Sequence, residues 1–202
     1  MSYLDDSLAH LEIFEGTVPW MYLDTKGFVT IGVGELLASA AKAETLAFVD
    51  PDGQPSTQDA ILDEFNRVSG LVPAKVAAFY RSPASPVLPH AAIDTLLMNH
   101  LNFFDGQLST RFPQYARFPD PAKLGLLDMI YNLGQVGLFQ HFPHFMASVD
   151  KQDWLGAAAN CHRAGPSPAR NDWTRQQFLA GAAAATPSSD SHAETANSTA
   201  AG

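Results

Sequence analysis

Residues 15–34 read EGTVPWMYLDTKGFVTIGVG and contain the strongest structural signals in the chain. A glycine and a proline soon after Glu15 predict the end of a preceding helix. Two short runs follow, residues 20–22 and 28–31, whose β-branched and aromatic residues favour strands. The segment DTKG between them, residues 24–27, is typical of a tight turn. The stretch therefore predicts a helix that leads directly into a β-hairpin.

The residues before this stretch predict an amphipathic helix. Ser2 and Asp5 have the spacing of a capping box, which satisfies backbone N–H groups at a helix start. Apolar residues then recur at helical spacing and define one face: Leu4, Leu8, Leu11 and Phe14. Glu15 thus lies at the helix end, Asp24 in the turn and Thr30 on the returning strand.

Two carboxylates held on separate rigid elements are the arrangement that glycosidic bond cleavage requires. Each also has a plain structural interpretation, because a helix-end glutamate is often only solvated and a turn aspartate caps backbone N–H groups. A threonine in a strand reflects β propensity. Gly32 and Gly34 allow close backbone approach but lack the third glycine of a nucleotide-binding loop. From the residues alone, both interpretations stay open.

The order of these residues resembles the T4-type phage lysozymes, the muramidases of glycoside hydrolase family 24. The likeness rests on Glu15, Asp24 and the sequence TIGVG that starts at Thr30. In that family the glutamate is the general acid, while the aspartate and the threonine position the attacking water. The resemblance implies that Glu15, Asp24 and Thr30 are catalytic and that the enzyme uses no cofactor and no metal.

The resemblance continues over about residues 3–181. The sequence LDMIYNLGQVG, residues 127–137, resembles the family's central core helix with its glycine-bounded end. Residues 154–160 and 168–181 match later helices of the family. Tyr131 and Asn132 fall where that family has an aromatic and an amide facing the sugar cleft, and Arg170 falls on an arginine beside its catalytic glutamate. The resemblance implies a substrate-binding role for these three. We expect Gly32 and Val33 to bind substrate as well, because this stretch of backbone can approach a partner closely.

Two features depart from the family pattern. The family usually has a histidine after Gly-x-Gly, whereas this chain has Glu35, so the local ion pair must be lost or rebuilt with another partner. Residues 84–120 are extra chain relative to the compact phage enzymes. Six residues of this segment have the same residue type thirty positions later: Leu96, Leu97, Asn102, Leu108, Phe112 and Pro113. This pattern indicates either a weak internal repeat or a chance similarity between two Leu-rich helices. As a repeat, it would lengthen the substrate groove or carry a docking surface.

Length and composition predict one domain and a tail. The chain has 202 residues, of which 46% are hydrophobic, enough for a sizeable core in residues 1–181. Residues 182–202 are rich in Ala, Ser and Thr without apolar periodicity, which predicts a disordered tail. Most segments after residue 55 favour helices, the first with Ser56 or Thr57 as N-cap. We therefore expect an α+β, lysozyme-like fold, with a small β-hairpin lobe, a larger helical lobe and a cleft between them.

The other reactive residues have structural interpretations. Cys161 is the one cysteine in the sequence, which excludes an intrachain disulfide, and we interpret it as a small buried hydrophobe. His141 and His144 flank Phe-Pro, which prevents them from lying together on one helix face. We therefore interpret them as surface or core histidines rather than metal ligands. Residues 50–53 predict a turn rather than a calcium loop. Without a signal-peptide pattern or a long apolar run, we expect synthesis in the cytoplasm and no membrane segment.

The net charge limits the partners. With 12 basic and 21 acidic residues, the charge of −9 argues against nucleic acid and gives no overall attraction to an anionic cell wall. An acidic muramidase without a signal peptide suggests delivery by machinery. One hypothesis is a type VI secretion effector that acts in the periplasm of a rival bacterium and is paired with an immunity protein. Another is a phage endolysin released through holin pores. We expect a monomer.

The resemblance implies hydrolysis of the β-1,4 bond between N-acetylmuramic acid and N-acetylglucosamine in peptidoglycan. A partly buried Glu15 would protonate the leaving oxygen, while Asp24 and Thr30 orient water on the opposite face of the sugar and invert the anomeric carbon. Two alternatives remain. The scaffold could be a non-catalytic peptidoglycan-binding or virion-structural module, or the enzyme could act on chitin or chitosan.

Overall fold

Helix α1 spans Tyr3–Glu15 in the computed structural model, which describes residues 2–185. The predicted capping box is confirmed, because Ser2 Oγ accepts from the Asp5 amide and the Asp5 carboxylate accepts from the Ser2 amide. The helix ends at Glu15 as expected, and Gly16 follows as the C-cap. Backbone signals alone therefore set both ends of α1.

The buried side of α1 differs from the predicted apolar face. Leu11 is buried as expected, but the other innermost positions are Ser7 and His10. Leu4, Leu8 and Phe14 are only half-buried. The innermost side of α1 is therefore offset from the predicted face by part of a turn, and none of the four predicted apolar residues is exposed.

The predicted hairpin follows α1 and is extended by a third strand. Strands β1 (Val18–Leu23), β2 (Val29–Gly32) and β3 (Glu35–Leu36) form an antiparallel sheet in the order β1-β2-β3. The Gly27 amide donates to the Asp24 carbonyl at 3.1 Å, which confirms the predicted tight turn. The end of α1, the two hairpin strands and their turn thus lie close to where the sequence predicted them, whereas β3 was not predicted.

Three more helices complete the first half of the chain: α2 (Ala40–Glu44), α3 (Gln58–Ser69) and α4 (His90–Arg111). Of the two predicted N-caps for α3, Thr57 is the one that accepts a hydrogen bond from the helix. A 3₁₀ turn lies at Ala77–Tyr80. The sheet packs its inner face into a core built from these elements, which includes Met21, Leu23, Val29, Ile31, Leu37, Phe48, Ile61, Val68, Tyr80, Leu88 and Ile93.

The second half is helical: α5 (Asp120–His141), α6 (Pro143–Asp150), α7 (Trp154–Asn160) and α8 (Pro168–Ala185), with a 3₁₀ turn at Tyr115–Arg117. Gly134 has φ 69° and interrupts α5, so the predicted glycine-bounded end is a break inside a longer helix. The chain divides into two compact units between Thr110 and Arg111, called here the first and the second unit. The described residues thus form a mixed α+β fold with eight α-helices and one sheet.

Helices α4 and α5 coincide with the predicted internal repeat. Each has 22 residues, and each is followed by Phe-Pro. Leu97 and Leu108 of α4 are buried, and so are their counterparts in α5, Leu127 and Leu138. Other features differ: Leu96 is half-buried whereas Leu126 is buried, α5 is broken at Gly134, and the following segments are a 3₁₀ turn in one case and α6 in the other. A weak repeat and a chance similarity therefore both stay open.

The C-terminal boundary lies beyond the predicted one. Helix α8 continues through Ala185, so residues 182–185 are helical rather than part of a tail. The rest of the predicted tail, residues 186–202, lies outside the described residues. Over residues 2–185, no helix combines the length and the apolar character that crossing a bilayer would require.

Candidate active site

Asp24 is held in place by its own turn. Its Oδ1 accepts hydrogen bonds from the amides of Lys26 and Phe28, both at 2.8 Å. Within residues 2–185 no hydrogen bond to its Oδ2 is found, and the side chain is half-buried. One carboxylate oxygen therefore fixes the side chain, and the other is available to accept from a water molecule or a ligand.

Thr30 lies on the neighbouring strand, directly opposite Tyr22 in the β1–β2 register. Its side-chain hydroxyl donates to the Phe28 carbonyl at 3.0 Å, and the residue is almost fully buried. Because the hydroxyl proton is used within the strand, the oxygen's lone pairs remain to accept a hydrogen bond. Thr30 and Asp24 thus offer acceptors at the same end of the hairpin.

Glu15 is the last residue of α1, and its side chain is exposed. We expected Glu15 to be partly buried, and that expectation was wrong. The physical reason is local: the helix ends at Glu15, and Gly16, which follows, is itself exposed. Any exclusion of water from Glu15 must then come from a bound ligand.

Tyr22 belongs to the same group of residues, although the sequence reasoning did not identify it. Burial raises the pKa of the Tyr22 hydroxyl, and the nearby carboxylates of Asp24 and Glu15 raise it further. The signal was present in the sequence, since Tyr22 and Asp24 are two positions apart along an extended segment and so lie on one side of it. Glu15, Tyr22, Asp24 and Thr30 all belong to the first unit.

Gly32 and Val33, predicted to bind substrate through a close backbone approach, are explained in part by packing. A Cβ on Gly32 would lie a tight 3.2 Å from Ile93 Cγ2 on helix α4, and its φ of 64° is in the left-handed region, so both packing and backbone favour glycine here. Val33 is half-buried and packs against the core of the first unit.

Glu35, which stands where the resemblance led us to expect a histidine, contacts two basic side chains. One oxygen lies 2.6 Å from His100 Nε2 on α4, and the other lies 3.5 Å from Lys42 Nζ on α2. Only 13% of the Glu35 side chain is exposed. The segment expected to be extra chain thus supplies a histidine, His100, at the end of the hairpin. Here the hairpin carries the acidic partner, whereas in the resembled family it carries the histidine.

The other predicted substrate-binding residues lie in the second unit. Tyr131 is half-buried and Asn132 exposed on α5, just before the helix break. Arg170 is buried, and its Nε donates to Asp128 Oδ1 at 2.8 Å. For Arg170 the structure therefore provides a buried structural contact that sequence reasoning had not predicted.

Asp128 is the centre of a buried polar network. Its Oδ2 accepts from Arg163 Nη2 and from Thr174 Oγ1, both at 2.6 Å, in addition to the Arg170 bond on Oδ1. The Asp128 and Arg163 side chains are each only 1% exposed. Partners 35 to 46 residues apart in sequence meet here, which no local pattern predicts.

Among the described residues, one group has metal-ligand chemistry: Glu12, His90 and Asp94, whose ligand atoms all lie within 4.8 Å of one another. These side chains already pair with each other, since His90 Nδ1 lies 2.9 Å from Asp94 and its Nε2 lies 3.8 Å from Glu12. Burial and the neighbouring Asp94 raise the pKa of Glu12, while His90 opposes the shift.

The structure also places the other reactive residues that the sequence singled out. Cys161 is buried, and burial raises the pKa of its thiol. His141 and His144 are exposed. Asp50 opens a turn that the Gly53 amide closes by donating to the Asp50 carbonyl.

Compared with protein-family models and with curated proteins, the chain matches none of them. The functional assignment therefore depends on the arrangement of Glu15, Tyr22, Asp24 and Thr30.

Proposed function

We propose that the protein is a lysozyme-like muramidase that hydrolyses the β-1,4 bond between N-acetylmuramic acid and N-acetylglucosamine. The observation that carries the proposal is Asp24, a rigidly held carboxylate with a free oxygen, on the same hairpin as the Thr30 hydroxyl. Asp24 and the exposed Glu15 both lie close enough to Tyr22 to raise its pKa. This set supplies both an acid and a water-orienting acceptor, the two functions that glycosidic cleavage needs.

In the proposed mechanism, Glu15 donates a proton to the glycosidic oxygen as the bond to the anomeric carbon breaks. Asp24 and Thr30 accept hydrogen bonds from one water molecule, whose oxygen attacks the anomeric carbon from the opposite face. Asp24 takes the proton that the water loses. The product then has the inverted anomeric configuration. Because Glu15 is exposed in the free protein, the glycan itself must cover it and exclude water.

The enzyme acts on peptidoglycan in the periplasm of a target bacterium in this proposal. The net charge of −9 provides no general attraction to the wall, so delivery through a secretion system, or release as a phage endolysin, places it there. A secretion effector would need an immunity protein in the producing cell.

The deciding experiment is the clearing of purified sacculi by the wild type and by Glu15→Gln, with the muropeptide products identified by mass. Glu12→Gln is the matched control, since it removes a carboxylate one helical turn earlier on α1. We expect clearing by the wild type and the control but not by Glu15→Gln. Products should end in reducing N-acetylmuramic acid, and NMR should show the inverted anomer first.

Two results would replace this proposal. Binding to sacculi without clearing by any variant would indicate a non-catalytic peptidoglycan-binding or virion-structural module. Reducing ends released from chitin or chitosan, but not from sacculi, would retain the enzyme and change its glycan.

A further inference from the structure

Tyr22 lies where the backbone brings the polar groups of the site together. In an antiparallel pair, residues directly opposite each other project to the same face, so Tyr22 and Thr30 share one face of the sheet. The opposite face is the one that enters the core, through Leu23 and Val29. Asp24 is two positions beyond Tyr22 and continues the same side of the chain.

The Tyr22 ring is anchored, but its hydroxyl is not. The side chain is half-buried and packs against the core of the first unit. Yet within residues 2–185 the hydroxyl has no hydrogen-bond partner. A phenolic hydroxyl placed among polar groups without a partner in the protein has its donor and acceptor available for a ligand.

The surrounding charges keep this hydroxyl protonated. Burial and the two acidic neighbours, Asp24 and Glu15, each disfavour the phenolate and raise the pKa of Tyr22. Because the ordinary pKa of a tyrosine is already near 10 and the shift is upward, the Tyr22 side chain is a neutral hydrogen-bond donor near neutral pH. A neutral donor suits a sugar hydroxyl or an acetamido oxygen, both of which are uncharged acceptors.

We propose that Tyr22 is a substrate-positioning residue whose hydroxyl donates a hydrogen bond to an oxygen of the sugar that lies between Glu15 and Asp24. The inference rests on the proposed function and adds a contact to it. Its role is to fix the sugar ring in the plane of the sheet face, so that the glycosidic oxygen meets Glu15 and the anomeric carbon faces the water held by Asp24 and Thr30.

Tyr22→Phe tests this contact, and Tyr80→Phe is its matched control. Both substitutions remove one phenolic hydroxyl from a ring packed in the first unit. The Tyr80 hydroxyl is used inside the protein, since it donates to the Val72 carbonyl at 2.9 Å and accepts from the Lys75 amide at 3.2 Å. Tyr80→Phe should therefore lower Tm and leave the activity of the folded protein unchanged.

For Tyr22→Phe we expect the reverse. Its Tm should equal that of the wild type, because no internal hydrogen bond is lost. With soluble peptidoglycan oligosaccharides as substrate, kcat/KM should fall about 3- to 10-fold, the effect of losing one hydrogen bond from a neutral donor. The loss should appear mainly in KM, since the contact forms in the bound ground state as well as in the transition state.

A binding measurement separates this proposal from the proposed function. Calorimetry with the same oligosaccharide, in the inactive Glu15→Gln background, should show about 3- to 10-fold weaker binding when Tyr22→Phe is added. If Tyr22→Phe weakens binding but the wild type does not cleave the glycan, the substrate contact of Tyr22 would be supported and the proposed muramidase activity would be overturned. Unchanged kcat/KM and unchanged affinity, or a fall in activity that follows a fall in Tm, would overturn the role of Tyr22. A wild type that neither binds nor cleaves would overturn both.

Discussion

The turns that begin at Asp24 and at Asp50 have the same local structure. In each, Oδ1 of the aspartate accepts from the amides two and four residues later, at 2.8 Å and 2.8 Å in the first turn and 3.0 Å and 2.8 Å in the second. In each, a glycine with positive φ stands at the fourth position, Gly27 at 86° and Gly53 at 80°.

Their surroundings differ. Asp24 follows the strand whose Tyr22 lies opposite Thr30. Glu15 is close enough to raise the pKa of the same tyrosine. Asp50 is followed by five exposed residues, 51–55. The same aspartate geometry is therefore a structural device in both turns, and the second role proposed for Asp24 depends on its neighbours alone. A turn motif by itself does not indicate a site.

Substituting each aspartate by asparagine should break this equivalence most clearly. Asp24→Asn should lower muramidase activity by about 10²- to 10⁴-fold, because the amide cannot take a proton from water. Asp50→Asn should leave activity unchanged. Both variants should keep the wild-type Tm, since the asparagine oxygen still accepts the two backbone hydrogen bonds. Clearing rates and thermal unfolding measured side by side test the pair, and equal activities would remove Asp24 from the mechanism.

Asp128 provides a contrast with Asp24, because both oxygens of its carboxylate accept hydrogen bonds from the protein. Asp128→Asn should lower the free energy of unfolding by about 3–5 kcal/mol, since it leaves two buried arginines without their anionic partner. The surface pair of Arg111 and Asp150 provides the control: Asp150→Asn should cost about 1 kcal/mol or less. Urea denaturation measures both. A small effect at Asp128 would mean that the network relaxes around asparagine.

Alanine at Asp24 and at Asp50 should have the same effect on the stability of the protein. Asp24→Ala and Asp50→Ala each remove an acceptor for two backbone amides, so each should lower the free energy of unfolding by about 1 kcal/mol. Denaturant midpoints of the two variants should agree. A much larger loss at Asp24 would show that its carboxylate stabilises the fold beyond the turn.

The smallest effect is expected at Glu12, one helical turn before Glu15. A carboxyl whose pKa is raised on folding destabilises the native state once the unfolded chain ionises, above its ordinary value of 4.5. Glu12→Gln should therefore raise the free energy of unfolding at pH 7 by about 0.5 kcal/mol or less, as is usual for surface sites. The gain should vanish near pH 4, where Glu12 is protonated in both states. Thermal unfolding at the two pH values measures the difference, and a gain that persists at the acidic pH would contradict this explanation.

Most elements near the candidate site could be predicted from the sequence. The capping box at Ser2, the stop at Gly16, the turn at Asp24 and the cap at Thr57 are each encoded within a few residues, so local chemistry suffices. The apolar face of α1 was predicted less well, because which face is buried depends on what packs against it. The expected burial of Glu15 was wrong for a local reason, because α1 ends at this residue and the following Gly16 is exposed.

By itself, the sequence determined the order of helix, turn and strand that carries Glu15, Asp24 and Thr30. Only the tertiary structure decided that Tyr22 lies opposite Thr30 and close to Glu15, that His100 pairs with Glu35, and that Asp128 binds two arginines. The physical reason is range. Caps and turns are satisfied by neighbours along the chain, whereas ion pairs and sheet faces depend on partners that only folding brings together.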